Sequence, residues 1–500
     1  MTALGPSAAT SASPGVADEV LGVARALATR TSDPATAALA ADIAERLSGP
    51  LRIAIAGRVK AGKSTLLNAL VGERLAPTDA GECTKIVSRY RRGAGYEVVA
   101  RMRDGRVEPL GFSRSEGALD IRLGALAEAD IETIDVSWPT SALAEITLID
   151  TPGLASINDE NSRRTREFLE ADIEHPSDAD AVIYLIRHAH RTDISFLDAF
   201  MDRSVTAASP VNAVAVLSRS DEIGGGRLDA MESASRIARR YESDPQLSAL
   251  CAAVVPMAGL LAETGLTLRE DEVASLRVLA STDDALLTTM LLSADHFCEI
   301  SSSNLTVEIR RDLLGRLGLF GIRLALQEMR SGRASTAATL GPILVEHSGL
   351  VELRRLLARH FGPRARVLQA RTALASLRNV CRSLRESDPA LAGEIQRDLE
   401  RIEVSTVEFA QVRGAHLIST GAVALSAEER AELEPIVAGR VGAEALGLAA
   451  ATANEEVRAA AISAIGRWRT RAGDPLADPA KLEICDVAIR TLERVYAAVV

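Results

Sequence analysis

The sequence predicts an α/β nucleotide-binding domain of the P-loop type, with a mostly parallel sheet and helices on both faces, joined to an all-α trunk made from both ends of the chain. Three observations predict it. A glycine-rich loop, "GRVKAGKS" at 57–64, directly follows the apolar run "LRIAIAG". Further strand-length runs, "ITLID", "AVIYLI", "NAVAVLS" and "AAVVP", recur over 146–256 at spacings that leave room for helical crossovers. Past about residue 280 only helical periodicity remains.

Taken in order, residues 1–15 are mostly Ala, Ser, Thr, Gly and Pro and are expected to be disordered. Residues 16–48 carry helical apolar spacing broken at Pro34, which predicts two helices that pack with the trunk. The nucleotide-binding domain is expected over 49–280. Within it "YEVVARMRDGRVEP" alternates around Asp104-Gly105, a hairpin that gives the sheet an antiparallel edge. The trunk is expected over 281–500, with helix breaks at Gly315, Gly332, Gly341-Pro342, Gly362-Pro363, Asp388-Pro389 and Asp474-Pro475.

Composition narrows the function. A net charge of −11 argues against a general nucleic-acid binder, and no nucleic-acid partner is expected. Five scattered cysteines without a C-x-x-C pair suggest neither a disulfide framework nor a zinc site, which fits a cytoplasmic chain. The start lacks the basic and apolar pattern of a signal peptide, and no run approaches the length of a membrane span. Any membrane contact is therefore expected to be peripheral.

The loop matches G-x-x-x-x-G-K-[ST] in the strand-to-helix setting that pattern needs. Gly57, Arg58, Val59, Lys60, Ala61, Gly62, Lys63, Ser64 and Thr65 form the expected phosphate cradle. Its glycines let backbone N–H groups face the anion, and Ser64 offers an oxygen to Mg2+. "IDTPG" ends a later strand with D-x-x-G: Asp150 is expected to hold Mg2+ through water, and the Gly153 N–H to sense the γ-phosphate. The base should be read by an element of [NT]-K-x-D type, here "SRSD" with Ser218, Arg219 and Asp221. A carboxylate at Asp221 can accept both the ring N–H and the exocyclic amine of guanine, whereas adenine presents the opposite polarity. Arginine can lie over a purine as lysine does, so GTP is the expected substrate.

These elements, with "AGKSTLLNALVGERLAPTDAGECTKIV", "SRSDEIGGGRLDAM", "VVPMAGLLA" and "SGLVELRRLLARHF", resemble the bacterial dynamin-like GTPases, and in particular their mycobacterial isoniazid-inducible type. The resemblance covers nearly the whole chain, more loosely after about 380. It implies GTP hydrolysis by a head on an elongated helical trunk, self-association through the heads, and a paralogous dynamin-like partner. It further implies remodelling or maintenance of the cytoplasmic membrane, with contact to anionic lipids on its inner face. It places the first switch threonine on Thr84, whose hydroxyl would complete Mg2+ coordination, and the second guanine contact on Ala258, at backbone level only. The water-orienting glutamine of Ras-like switches is replaced by Leu154. In the family a monovalent cation held at the fourth loop position serves instead.

Here that position is Lys60. The chain has four lysines against 53 arginines, yet places Lys60 and Lys63 in one loop. An ammonium is a compact point charge where guanidinium is planar and bulky, so Lys60 is a candidate to supply the cation itself. Pairing with Glu82 or Asp79, or pointing into solvent, is the alternative. Lys85 beside Thr84 reads as a solvated switch charge. Nine arginines and no acidic residue lie between Leu353 and Arg385. They read more simply as partners of acidic trunk helices than as a lipid-facing surface. "LGLFGIRLAL" at 317–326 likewise reads as a buried hinge turn before a lipid-inserting tip. The alternative function is a soluble regulatory switch in assembly of a ribonucleoprotein or protein complex.

Overall fold

The computed structural model describes residues 15–76, 86–115, 118–152, 179–187, 210–248, 250–300, 304–419 and 421–499. Two helices open it, α1 (Val16–Arg30) and α2 (Pro34–Ser48). Pro34 starts the second rather than breaking a longer one, because Asp33 accepts a hydrogen bond from the Thr36 amide as N-cap.

The nine-stranded sheet runs β11 (Val254–Pro256), β10 (Ala213–Leu217), β9 (Ala181–Ile186), β1 (Leu51–Gly57), β8 (Ile146–Asp150), β2 (Val87–Arg92), β7 (Ile131–Trp138), β3 (Glu97–Met102) and β4 (Val107–Pro109). The first five are mutually parallel, and β2 turns antiparallel against β8. The expected hairpin is β3–β4, antiparallel at the sheet's edge. A separate hairpin joins β5 (Gly111–Ser115) to β6 (Ala118–Arg122).

Alternation along β1 decides the two faces. Ile53 and Ile55 join one core, with Leu66, Leu67 and Leu70 of α3 (Lys63–Val71). Ala54 and Ala56 join the other, with Ala234 and Ala238 of α4 (Ala230–Glu242). A short helix, α5 (Pro245–Ser248), leads to β11.

Six helices follow: α6 (Gly259–Thr267), α7 (Glu270–Ala280), α8 (Asp284–Met290), α9 (Ala294–Glu299), α10 (Val307–Arg330) and α11 (Ala337–His347). They share one apolar cluster with Ala230 and Ala258. Next comes α12 (Leu350–His360), whose Leu350 and Leu353 lie in the sheet's own core with Phe361. Helices packed on the sheet therefore extend well past residue 281. Two expected breaks are absent: Gly315 lies inside α10, and Gly341-Pro342 inside α11. Gly341 is a packing contact, since a Cβ there would stand 2.5 Å from the Gly265 carbonyl oxygen of α6. The break in α10 falls at Gly318, where φ is 63°. Phe320 and Ile322 beyond it are buried, as a hinge turn requires.

Beyond Gly362-Pro363 lie α13 (Ala365–Ser387), α14 (Pro389–Ser405), α15 (Val407–Ser419), α16 (Ala427–Val437), α17 (Asn454–Ala472) and α18 (Pro479–Ala497). Helices α1 and α2 pack with α13 and α14 around Val20, Leu27, Leu47, Leu374, Leu377 and Leu399. Arg30 clasps Glu394 with two bonds of 2.6 and 2.7 Å. Helices α15 to α18 close a further core around Trp468 and Ile484.

Several of the arginines between 353 and 385 bind other elements of the fold, mostly through backbone carbonyls. Arg354 donates to the carbonyls of Ala69 and Leu70, Arg364 to that of Val437, and Arg366 to that of Leu47. Arg378 pairs with Glu403, as expected of an acidic trunk helix. The acidic stretch at 426–435 instead serves Arg467, Arg471 and Lys481. Among the described residues no helix is long and apolar enough to cross a membrane.

Candidate functional site

The phosphate loop is fixed by where β1 ends. A Cβ at Gly57 would meet the Leu185 carbonyl oxygen of β9 at 2.8 Å, with φ at 149°, so only glycine fits between these strands. Lys60 (φ 61°) and Gly62 (φ 94°) then turn the chain through left-handed conformations, and α3 begins at Lys63. A non-glycine residue at such φ is uncommon and is held here from outside. Arg219 supplies the hold, donating to the Lys60 carbonyl at 3.0 Å.

Lys63 is buried, its ammonium 3.4 Å from the carbonyl oxygens of Gly57 and Arg58. Burial lowers its proton affinity, and Asp150 opposes that shift only in part. Ser64 donates to Asp150 Oδ2 at 2.8 Å. Burial raises the Asp150 pKa despite Lys63 and Ser64, and its buried Oδ1 has no hydrogen-bond partner among the described residues. An orphaned carboxylate oxygen beside a serine hydroxyl fits a hard divalent cation that takes oxygen ligands, so the residues present suit Mg2+. The switch residues Thr84 and Gly153, with Asp79, Glu82, Lys85 and Leu154, lie outside the described residues.

The base side is a cavity of about 150 Å3, lined among others by Ala61, Thr65, Arg219, Asp221, Met257 and Leu260. The Ser218 amide donates to the Ile186 carbonyl, which fixes the turn to β9. Asp221 is buried, and its carboxyl is pushed up to about 6, chiefly by burial. Arg219 lies at the rim, donating also to Glu222 at 2.7 Å. Ala258 departs from the expectation. Its amide donates to the Ser348 carbonyl at 2.8 Å and its side chain is fully buried, so Met257 and Gly259 form that wall instead.

Sequence reasoning missed two supports. Glu222 lines the cavity and ties Arg219 to Arg187, 2.5 Å away at the end of β9. Asn68, buried in α3, accepts from the amides of Leu75 and Ala76 and donates to Glu263, which also binds Arg74 at 2.9 Å. This network anchors the chain just before the segment that carries Thr84. Its only trace in the sequence is one amide inside the apolar run "LLNAL".

A model of the dynamin family matches residues 53–210. The chain is 38% identical over 459 residues to the isoniazid-induced protein IniC of Mycobacterium tuberculosis, covering 91% of this chain and 92% of that protein. A bacterial dynamin-like protein of Nostoc punctiforme matches 150 residues at 29% identity, 28% of this chain and 20% of its own length. A solved structure of an oligomerised bacterial dynamin pair aligns over 97% of this chain and 74% of its own, at 14% identity and a TM-score of 0.34.

Proposed function

Because this chain belongs to the bacterial dynamin-like proteins and hydrolyses GTP, we propose that hydrolysis is coupled to head-to-head association and moves the helical trunk at the inner face of the cytoplasmic membrane. The observation that carries this is the shared strand β1. Its far end becomes the phosphate loop, while the α2 end that leads into it is held by the trunk: Gln369 of α13 donates to the Gly49 carbonyl at 2.9 Å, and Arg366 to that of Leu47. A shift at the loop thus has a seven-residue path to the helices formed by residues 16–48 and 365 onward.

In this reading Lys63 grips the β- and γ-phosphates, the loop amides cradle them, and the Gly153 N–H meets the γ-phosphate. Ser64 and Thr84 would hold Mg2+ directly, with Asp150 acting through water. The ion, when bound, neutralises charge on the phosphates. Asp221 reads the guanine edge, with Arg219 holding the loop. The partner in head association is a second copy or a paralogous dynamin-like chain.

Turnover measured with and without anionic vesicles tests the membrane step. We expect co-sedimentation with phosphatidylglycerol vesicles and several-fold stimulation; stimulation by RNA without lipid binding would sink it.

Lys60 supplies the cation that relatives take from solution, with its exposed side chain free to swing toward the phosphates. Turnover should then be equal in potassium, sodium or a large inert cation. Lys60→Ser should lose on the order of 10²-fold, recovered in part by potassium alone. A potassium requirement in the wild type contradicts this role.

The Asp221 carboxyl predicts a pH dependence. Above about 6 it is ionised and accepts two guanine N–H bonds; below, its proton blocks one. GDP affinity measured by calorimetry should therefore fall as pH drops from 7.5 to 5.5, while affinity for inorganic triphosphate changes less. Equal losses for both ligands would remove Asp221 from base reading.

A further inference from the structure

Asp221 is followed by a turn that cannot hold its own shape. Gly224, Gly225 and Gly226 are all left-handed, with φ of 64°, 73° and 70°. Three such residues lose the most backbone freedom on ordering, so the turn needs external contacts. Helix α10 provides them from nearly a hundred residues away in the chain.

Arg323 of α10 donates from Nη1 to the Gly225 carbonyl at 2.8 Å and to that of Gly226, and from Nη2 to the carbonyl of Leu291, between α8 and α9. No carboxylate pairs with Arg323 among the described residues, and burial beside Arg227 lowers its proton affinity. Its charge is directed wholly at backbone oxygens. The approach is close: a Cβ at Gly226 would stand 3.1 Å from the Phe320 amide nitrogen and 3.2 Å from the Leu319 Cβ. The break in α10 makes this docking geometry. At Gly318 the helix steps aside, and a Cβ there would lie 3.4 Å from Asp221 Oδ2. The hinge thus passes close beside the carboxylate, and the helical turn after it clamps the glycines.

We propose that Arg323 is a positioning residue for base selection: by clamping Gly225 and Gly226 it holds Asp221 against the guanine edge, so discrimination between purines depends on α10 as well as on the loop. This rests on the base-reading role proposed above for Asp221.

The test compares GDP with inosine diphosphate, which lacks the exocyclic amine, on the full chain by titration calorimetry. The wild type should prefer GDP by on the order of tenfold or more, because a site built for that amine leaves the carboxylate short of a donor when it is absent. Arg323→Ala should weaken GDP about tenfold and inosine diphosphate less than threefold, shrinking the ratio. Arg323→Lys keeps the charge but cannot span both glycine carbonyls and Leu291, so an intermediate ratio is expected; it serves as the reading if the alanine variant does not fold. A wild-type ratio in the folded variants, whatever the melting temperature, overturns the inference. Asp221→Asn separates the two claims. It should favour xanthosine diphosphate over GDP, since the amide donates where the carboxylate accepted. If it keeps its GDP preference, the base reading itself fails; if it switches while the Arg323 variants keep the wild-type ratio, only the clamp fails.

Discussion

Lys63→Met is expected to lower kcat/KM for GTP by at least about a thousandfold, roughly 4 kcal/mol of transition-state stabilisation, while the nucleotide-free protein melts no lower than the wild type. The first half follows from the loop: among the described residues no other cation is buried where β1 meets α3. The second follows from burial. Among the described residues the ammonium has two carbonyl contacts, both of 3.4 Å, and its attraction to Asp150 is outweighed by desolvation. With the folded-state pKa below the ordinary 10.5, the penalty on folding is present at neutral pH, is fullest below the folded-state pKa, and fades to nothing as pH rises past 10.5. The melting-temperature advantage of the variant should therefore be seen at pH 7 and vanish in strong alkali. Retained turnover, or a melting point several degrees lower at pH 7, would contradict this account.

Asp150→Asn should produce a similar loss, on the order of 10²- to 10³-fold in turnover, that added Mg2+ does not restore. The amide keeps an acceptor for the Ser64 hydroxyl but no longer bears the charge that favours a divalent ion. Its stability signature has the opposite pH course. Burial lifts the folded-state pKa above 3.8, so the carboxylate destabilises the fold only where it is ionised. At pH near 4 variant and wild type should melt together, and toward neutral pH the variant should gain. Calorimetric scans between pH 4 and 8, beside a Mg2+ titration of turnover, check both halves. A gain that is largest in acid would show that Asp150 is not held in its charged form by this site. Lys63 and Asp150 are thus arranged for a ligand at the expense of the empty fold.

The phosphate loop was legible because its spacing is rigid: Gly57, Gly62, Lys63 and Ser64 each answer one geometric demand, and the structure brings them together with Asp150. The strands buried on both faces, β1, β9 and β10, were legible as apolar runs. Strand β2, "VSRYRR", was not, because arginines interrupt its alternation and only the partnered sheet shows Val87 and Tyr90 inside. Strand β7 hides Thr133, Asp135 and Ser137 in its burial, and Arg101 donates to Asp135 Oδ2 at 2.6 Å. The helices between 284 and 360 were read correctly as helices but not by neighbour. An amphipathic face says that something covers it, and Leu350 and Leu353 do not say whether that is a sheet or another helix. Ala258 misled because a backbone contact has no side-chain signature, and its amide is spent on Ser348.

The joining of α1 and α2 to α13 and α14 also sets an order of events during synthesis. The first pair leaves the ribosome long before its partners, which begin about 320 residues later. At about 5–20 residues per second that is a wait of roughly 15–60 s. The sheet and its covering helices can fold in the interval, while Val20, Leu27 and Leu47 remain without the surfaces that bury them. Burial of α1 and α2 is thus a late folding event, and a nascent chain stopped before residue 365 would carry the phosphate loop and the base cavity beside an exposed, aggregation-prone helix pair.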